Sequence, residues 1–270
     1  MLKSRIITGL VLAAVALIAI YLLPIEAYAV FFWFVGGVAA YEFAGLAAIE
    51  QRWQRLAYAG VYTALVLLTV FLPVLVEPGL LVGAAVWVFA LGCIFGYPAS
   101  GTIIRPWVTG VLGILITWPA WIALQVVRGA PDGSNWMLWM ILVVAFADIG
   151  AYFTGRALGR RKLAPAVSPG KTWEGFWGGM LTSSLICGGI LALLGRFNGG
   201  WIFIMVLLVV VSVVGDLFES VLKRERGVKD SGTVLPGHGG ALDRLDSAVA
   251  VLPYFALILM YAGLSGGPTG

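Results

Sequence analysis

The sequence predicts an all-α fold, a polytopic transmembrane helical bundle of about nine spanning helices with its N-terminus in and its C-terminus out. Three observations predict it. Only 11% of the 270 residues are charged and 61% are hydrophobic, whereas a soluble domain carries roughly 25% charged residues. So little polar surface could not cover a water-soluble globule, and lipid is expected to cover most of this one. Apolar runs then recur along the chain, each near the roughly 20 residues that a spanning helix needs. Finally, the basic residues between those runs fall almost entirely on one side.

The first run, 6–23, follows Lys3 and Arg5 and resembles a secretory signal. It is nearly long enough to span and more spans follow at once, so it is expected to be an uncleaved first helix. The others are 28–49, 56–76, 79–97, 107–127, 136–158, 174–194, 201–219 and 241–263, the fourth being a short run bracketed by Pro78 and Pro98. No polar stretch is long enough to fold separately, so residues 1–270 are expected to form a single integral membrane domain. No internal repeat or low-complexity tract interrupts it.

With nine spans, alternate loops lie on alternate sides. All but two of the 17 basic residues then share one side, and only Arg128 and Arg196 fall on the other. The positive-inside rule places the basic side in the cytoplasm. Two basic loops, 156–174 and 223–240, stand out there. The catalytic cytoplasmic face is expected to be built mainly from 146–175 and 212–247.

Neither Cys93 nor Cys187, both inside apolar runs, has a partner at metal-ligand spacing. His238 is the single histidine, which excludes a multi-histidine metal site.

The acids within or bordering apolar runs carry the chemical information. Asp148 lies inside the sixth run, Asp216 and Glu219 end the eighth, and Asp243 and Asp246 open the ninth. A carboxylate near the bilayer centre costs about 2.5–3.5 kcal/mol on insertion scales. At helix ends in water the last four would cost little. Their spacing says more: each pair is three residues apart and shares a helix face. Two such faces brought together repel unless a cation joins them. Oxygen ligands without Cys or His favour magnesium or calcium, and magnesium leaves positions open for substrate phosphates. Asp148 admits two readings. Ala147, Ala151, Gly155 and Gly159 form a small-residue stripe expected to pack on another helix. Asp148 would then face the bundle interior, either as a carboxylate locking two helices together or as a working group.

The stretch Ser168-Pro169-Gly170-Lys171-Thr172-Trp173-Glu174-Gly175 leads into the seventh run with Thr172 as an N-cap. Gly170-Lys171-Thr172 echoes the end of a P-loop, but Pro165 occupies the place of the required glycine, and a membrane helix precedes it instead of a strand. What remains is a helix start with one lysine, either a fair anion site or an ordinary basic loop. The densest stretch is 220–246. Lys223, Arg224, Arg226 and Lys229 come first, then Pro236-Gly237-His238-Gly239-Gly240, then Asp243-Arg244-Leu245-Asp246. Glycines can turn several N–H groups toward one anion, bases supply charge and carboxylates hold a metal. That combination suits a polyphosphate with its magnesium.

The pattern Ser220-x-Leu222-Lys223-Arg224-x4-Lys229-Asp230-x-Gly232-x2-Leu235-Pro236-x-His238-Gly239-Gly240-x2-Asp243-Arg244-Leu245-Asp246 resembles the C-terminal signature of the phosphatidate cytidylyltransferases, or CDP-diacylglycerol synthases. Ala241 departs from it, standing where a bulkier apolar residue is expected. The upstream stretches Ser168-Pro169-x-Lys171-Thr172-x-Glu174-Gly175 and Gly215-Asp216-Leu217-x-Glu219-Ser220 resemble this family too.

The resemblance implies that CTP and phosphatidic acid give CDP-diacylglycerol and pyrophosphate with magnesium, with room for a second cation. Asp216, Asp243 and Asp246 are then expected to hold the metal, and with Lys223 and Arg224 to form the catalytic set. Substrates are expected at Asp148, Ser168, Lys171, Thr172, Glu174, Ser220, Lys229, Asp230, His238, Gly239, Gly240 and Arg244. The expected partners are CTP, phosphatidic acid and membrane lipids, with no nucleic acid; the resemblance also suggests a homodimer. The expected location is the bacterial cytoplasmic (inner) membrane, with the active site facing the cytoplasm. Two alternatives stand beside this reading: a CTP-dependent membrane lipid kinase and a transporter of anionic substrates. A CDP-alcohol phosphotransferase is excluded, because the one Asp-Gly, Asp132-Gly133, is followed by Ser134-Asn135-Trp136.

Overall fold

The computed structural model describes residues 2–232 and 239–261, with side chains from residue 8 onward. The described residues hold nine α-helices: α1 (Leu2–Leu22), α2 (Ile25–Leu46), α3 (Arg52–Phe71), α4 (Val76–Gly96), α5 (Pro106–Gly129), α6 (Gly133–Leu158), α7 (Trp173–Leu193), α8 (Gly200–Arg226) and α9 (Leu242–Tyr261). Eight of them, α2 to α9, are long and apolar enough to cross a membrane, and α1 adds the shorter apolar stretch Thr8–Leu22. The chain is an integral membrane protein built as a helical bundle.

Prolines and glycines mark the helix limits. Pro24 precedes α2, and Pro106 opens α5. Pro78, expected to bracket the fourth span, lies inside the first turn of α4. It is tolerated there because first-turn N–H groups have no intrahelical acceptor. The largest departure is at α8. It runs seven residues past the expected limit of 219, so Lys223, Arg224 and Arg226 form its last turn, and Gly227 closes it in the left-handed region at φ 70°. Hydropathy registers where the lipid ends, whereas these bases are good helix formers and face the favourable end of the helix dipole.

The second departure is a small antiparallel hairpin between α6 and α7, where the sequence predicts only a loop. β1 (Lys162–Ala164) pairs with β2 (Ser168–Thr172), Lys162 opposite Thr172 and Ala164 opposite Ser168. The Trp173 N–H donates to the Arg161 carbonyl at 2.9 Å and closes the hairpin.

Helices in lipid gain little from hydrophobic association and pack through close approach of small residues. The expected stripe on α6 does this against α7. Gly179 packs on the Ala147 carbonyl, Gly175 on Ala151 and Gly155, and Gly159 on Thr172. Gly83 of α4 meets two helix-interior prolines: a Cβ there would lie 2.6 Å from Pro119 of α5 and 3.1 Å from Pro253 of α9. Gly215 seats α8 on α9, where a Cβ would lie 2.5 Å from the Asp246 carbonyl and 2.8 Å from Ala250. These contacts bring the C-terminal ends of α2, α6 and α8 together with the hairpin and the N-terminal ends of α7 and α9, making one polar end of the bundle.

Candidate active site

At the polar end a cleft of about 470 Å³ opens between α6, the hairpin, α7 and α8. Asp148, Tyr152, Arg156, Lys171 and Asp216 line its polar part, and Phe176, Val209 and Val213 its apolar part. Lys171 leaves β2 just before α7 and places its Nζ 2.5 Å from Asp216 Oδ2. Asp148 lies in the field of both groups. Asp246 reaches the same field from α9. Helices α6 and α8 and the hairpin thus direct two cations, Arg156 and Lys171, and two carboxylates, Asp148 and Asp216, into one space with an apolar wall alongside, and Asp246 lies in their field.

A second, more enclosed cluster adjoins it. Lys223 lies one turn beyond Glu219 and donates to Glu219 Oε2 at 3.0 Å and to Asp243 Oδ1 at 2.7 Å. The three side chains are only 17%, 5% and 7% exposed. Asp243 Oδ2 accepts from Ser231 N at 2.9 Å, Ser231 Oγ at 3.1 Å and Gly240 N at 2.8 Å. Glu219 lies in the field of Asp246, and its Oε1 is buried without a hydrogen-bond partner among the described residues.

Most sequence-predicted residues meet at this end, although several have other partners than expected. Lys223, expected in the catalytic set, is enclosed between two carboxylates. Asp243, expected on metal, has both oxygens engaged by Lys223 and the adjoining backbone. Among the described residues no three of Asp, Glu, His or Cys form a group that could hold a metal ion; Asp216 pairs with Lys171 and Asp243 with Lys223. Glu174 accepts from the backbone of Arg160 and Arg161 at 3.0 and 3.2 Å, tying the exit of α6 to the start of α7. Thr172 caps α7, its Oγ1 accepting from Gly175 N at 3.1 Å. The Arg224 Nε reaches the Val167 carbonyl at 3.4 Å, while Lys229, Asp230 and Arg244 are exposed. Ser168 opens β2 and Ser220 is half-buried on α8. Gly239 takes a left-handed φ of 81°, and Gly240 donates to Asp243. His238 lies outside the described residues.

Sequence reasoning passed over Glu42. This α2 carboxylate is 3% exposed and accepts from Ala241 N at 3.0 Å, Leu242 N at 2.9 Å and Ser231 Oγ at 3.3 Å. The available signal was an acid inside the apolar run 28–49.

The fold defines a polytopic membrane protein with a charged cleft at one end of its helical bundle. Residues 3–262 match the Cytidylyltransferase family, and the chain belongs to that family. The phosphatidate cytidylyltransferase of Pseudomonas aeruginosa is 42% identical, covering 97% of this chain and 98% of the relative. That of Haemophilus influenzae is 34% identical over 97% of this chain and 99% of its own length, and that of Brucella suis 34% over 99% and 95%.

Proposed function

We propose that this chain transfers the cytidylyl group of CTP to phosphatidic acid, giving CDP-diacylglycerol and pyrophosphate. The observation that carries the reading is the cleft itself: Lys171, Asp216 and Asp148 meet beside an apolar wall at the end of the bundle, with Asp246 in their field, in a chain 42% identical to a phosphatidate cytidylyltransferase. An enzyme joining a water-soluble nucleotide to a lipid must open both to water and sideways to the membrane. Placing the polar end in the cytoplasm follows from the basic residues, of which only Arg128 and Arg196 fall on the opposite side.

Phosphatidate carries its own anionic nucleophile, so little general-base help is needed. Its phosphate oxygen attacks the α-phosphorus of CTP and pyrophosphate leaves. Catalysis is then positioning and charge neutralisation. We assign Lys171 to a substrate phosphate, exchanging its half-exposed pairing with Asp216 for it. Arg156 and the exposed Arg224, Lys229 and Arg244 supply the surrounding positive field. Lys223 offsets Glu219 and Asp243 and holds the α9 start against α8.

The donor set fits magnesium in a two-carboxylate form. Asp216 lines the cleft with hard oxygens, Asp246 lies in its field, and Glu219 Oε1 is buried without a hydrogen-bond partner among the described residues. Magnesium is commonly held by one or two carboxylates together with substrate phosphates, so no third acid is required. We therefore assign Asp216 and Asp246 as its ligands and Asp243 as the residue that shapes the neighbouring loop. When bound, the metal neutralises charge on the CTP phosphates.

The test follows the label from CTP carrying a radioactive α-phosphate, with purified protein and phosphatidic acid. Label in the lipid and unlabelled pyrophosphate in solution are expected. Label released as CDP would identify a CTP-dependent kinase instead.

A further inference from the structure

Glu42 is a carboxylate inside the bundle whose three observed partners are all neutral donors. It sits one turn before the end of α2 and is 3% exposed. Its Oε1 accepts from Ala241 N, and its Oε2 from Leu242 N and Ser231 Oγ. Ala241 and Leu242 open α9, whose first N–H groups lack intrahelical acceptors and favour negative charge. Ser231 flanks the glycine-rich stretch on its other side. The chain closes tightly on the carboxylate at both flanks. A Cβ at Gly240 would lie 2.5 Å from Glu42 Oε2, and one at Gly232 would collide with Oε1.

The contacts continue from there into the site. Ser231 Oγ lies between Glu42 Oε2 and Asp243 Oδ2, at 3.3 and 3.1 Å. Asp243 holds Lys223 and Lys223 pairs with Glu219, which lies in the field of Asp246. A run of polar contacts thus connects α2 to Glu219 on α8, one turn from Asp216 of the cleft.

We propose that Glu42 is a positioning residue for cytidylyl transfer. It holds Ser231 and the start of α9 in register, so that Asp243 orients Lys223 and Asp246 faces Asp216. This rests on the cleft being the reaction site. A carboxylate is required because two backbone N–H groups, one on each oxygen, converge on it together with the Ser231 hydroxyl whose one proton it shares with Asp243. Glutamine would turn an amide N–H₂ toward one of them, and aspartate keeps the charge with a shorter reach.

The experiment compares Glu42→Gln, Glu42→Asp, Ser231→Ala and Asp246→Asn in detergent. It reads the folded fraction by size exclusion and thermal midpoint, and then kcat and KM for both substrates per folded molecule. Glu42→Gln is expected to lose about tenfold or more in kcat, with KM for phosphatidate held within about twofold. Glu42→Asp should recover part of that loss, and Ser231→Ala should fall between wild type and Glu42→Gln. Wild-type kcat per folded molecule in both Glu42→Gln and Ser231→Ala would overturn the proposal, even if the thermal midpoint fell. If Glu42→Gln does not fold, Glu42→Asp and Ser231→Ala decide by the same criterion. Asp246→Asn separates the two claims. Its inactivity beside fully active Glu42→Gln and Ser231→Ala would sink the positioning role alone, whereas full activity in Asp246→Asn would sink the site and the proposal with it.

Discussion

Replacing Lys223 by methionine removes the one cation between Glu219 and Asp243 and nearly preserves side-chain length. Asp243 keeps two backbone donors, Ser231 N and Gly240 N, and a share of the Ser231 hydroxyl. Glu219 keeps none of comparable strength: its Oε2 loses Lys223 and its Oε1 already has no hydrogen-bond partner among the described residues. Removing one partner of a buried ion pair costs about 3–5 kcal/mol. Because Asp243 stays solvated by its loop, the lower end, about 3 kcal/mol, is expected here. The assay is a double-mutant cycle of Lys223→Met, Glu219→Gln and the pair, read as unfolding free energy in detergent. Lys223→Met alone should lose about 3 kcal/mol, and adding Glu219→Gln should restore at least half of it by removing the uncompensated charge. A Lys223→Met variant as stable as wild type, or additive losses in the pair, would refute the reasoning.

Three further outcomes are expected. Thr172→Ala removes the N-cap oxygen that accepts from Gly175 N and should cost about 1 kcal/mol of stability, measured by thermal unfolding. Gly179→Val places a side chain against the Ala147 carbonyl of α6 and should cost about 1–3 kcal/mol by overpacking, seen as a lower thermal midpoint. Chelation with EDTA should abolish turnover reversibly while leaving the midpoint within error, because no described group of three acids could staple the fold through a metal.

The spans were legible because lipid demands about twenty apolar residues wherever a helix crosses it. The small-residue stripe on α6 was legible for a related reason, since only such residues let two backbones approach as α6 and α7 do. The end of α8 was not, because hydropathy stops reporting at the membrane surface while the helix continues to Arg226. The hairpin escaped notice because β1 and β2 are three and five residues long and carry no alternating apolar pattern. At the site, residue identity was readable and partnership was not. Lys223 and Asp243 look like a phosphate ligand and a metal ligand in a linear motif, and only three dimensions show them joined at 2.7 Å. Glu42 lies about 200 positions from the backbone it caps, and no local pattern could connect the two.

The most direct test measures pyrophosphate release from CTP with phosphatidic acid and magnesium, in wild type, Asp246→Asn and Arg196→Ala side by side. Arg196 lies at the opposite end of the bundle, paired with Asp132, and serves as the control for substitution far from the cleft. Wild type and Arg196→Ala are expected to release pyrophosphate at similar, lipid-dependent rates, with Asp246→Asn about 10²–10³-fold slower, as loss of several kcal/mol of metal-held charge stabilisation requires. Near-normal release by folded Asp246→Asn would contradict the placement of cytidylyl transfer in this cleft.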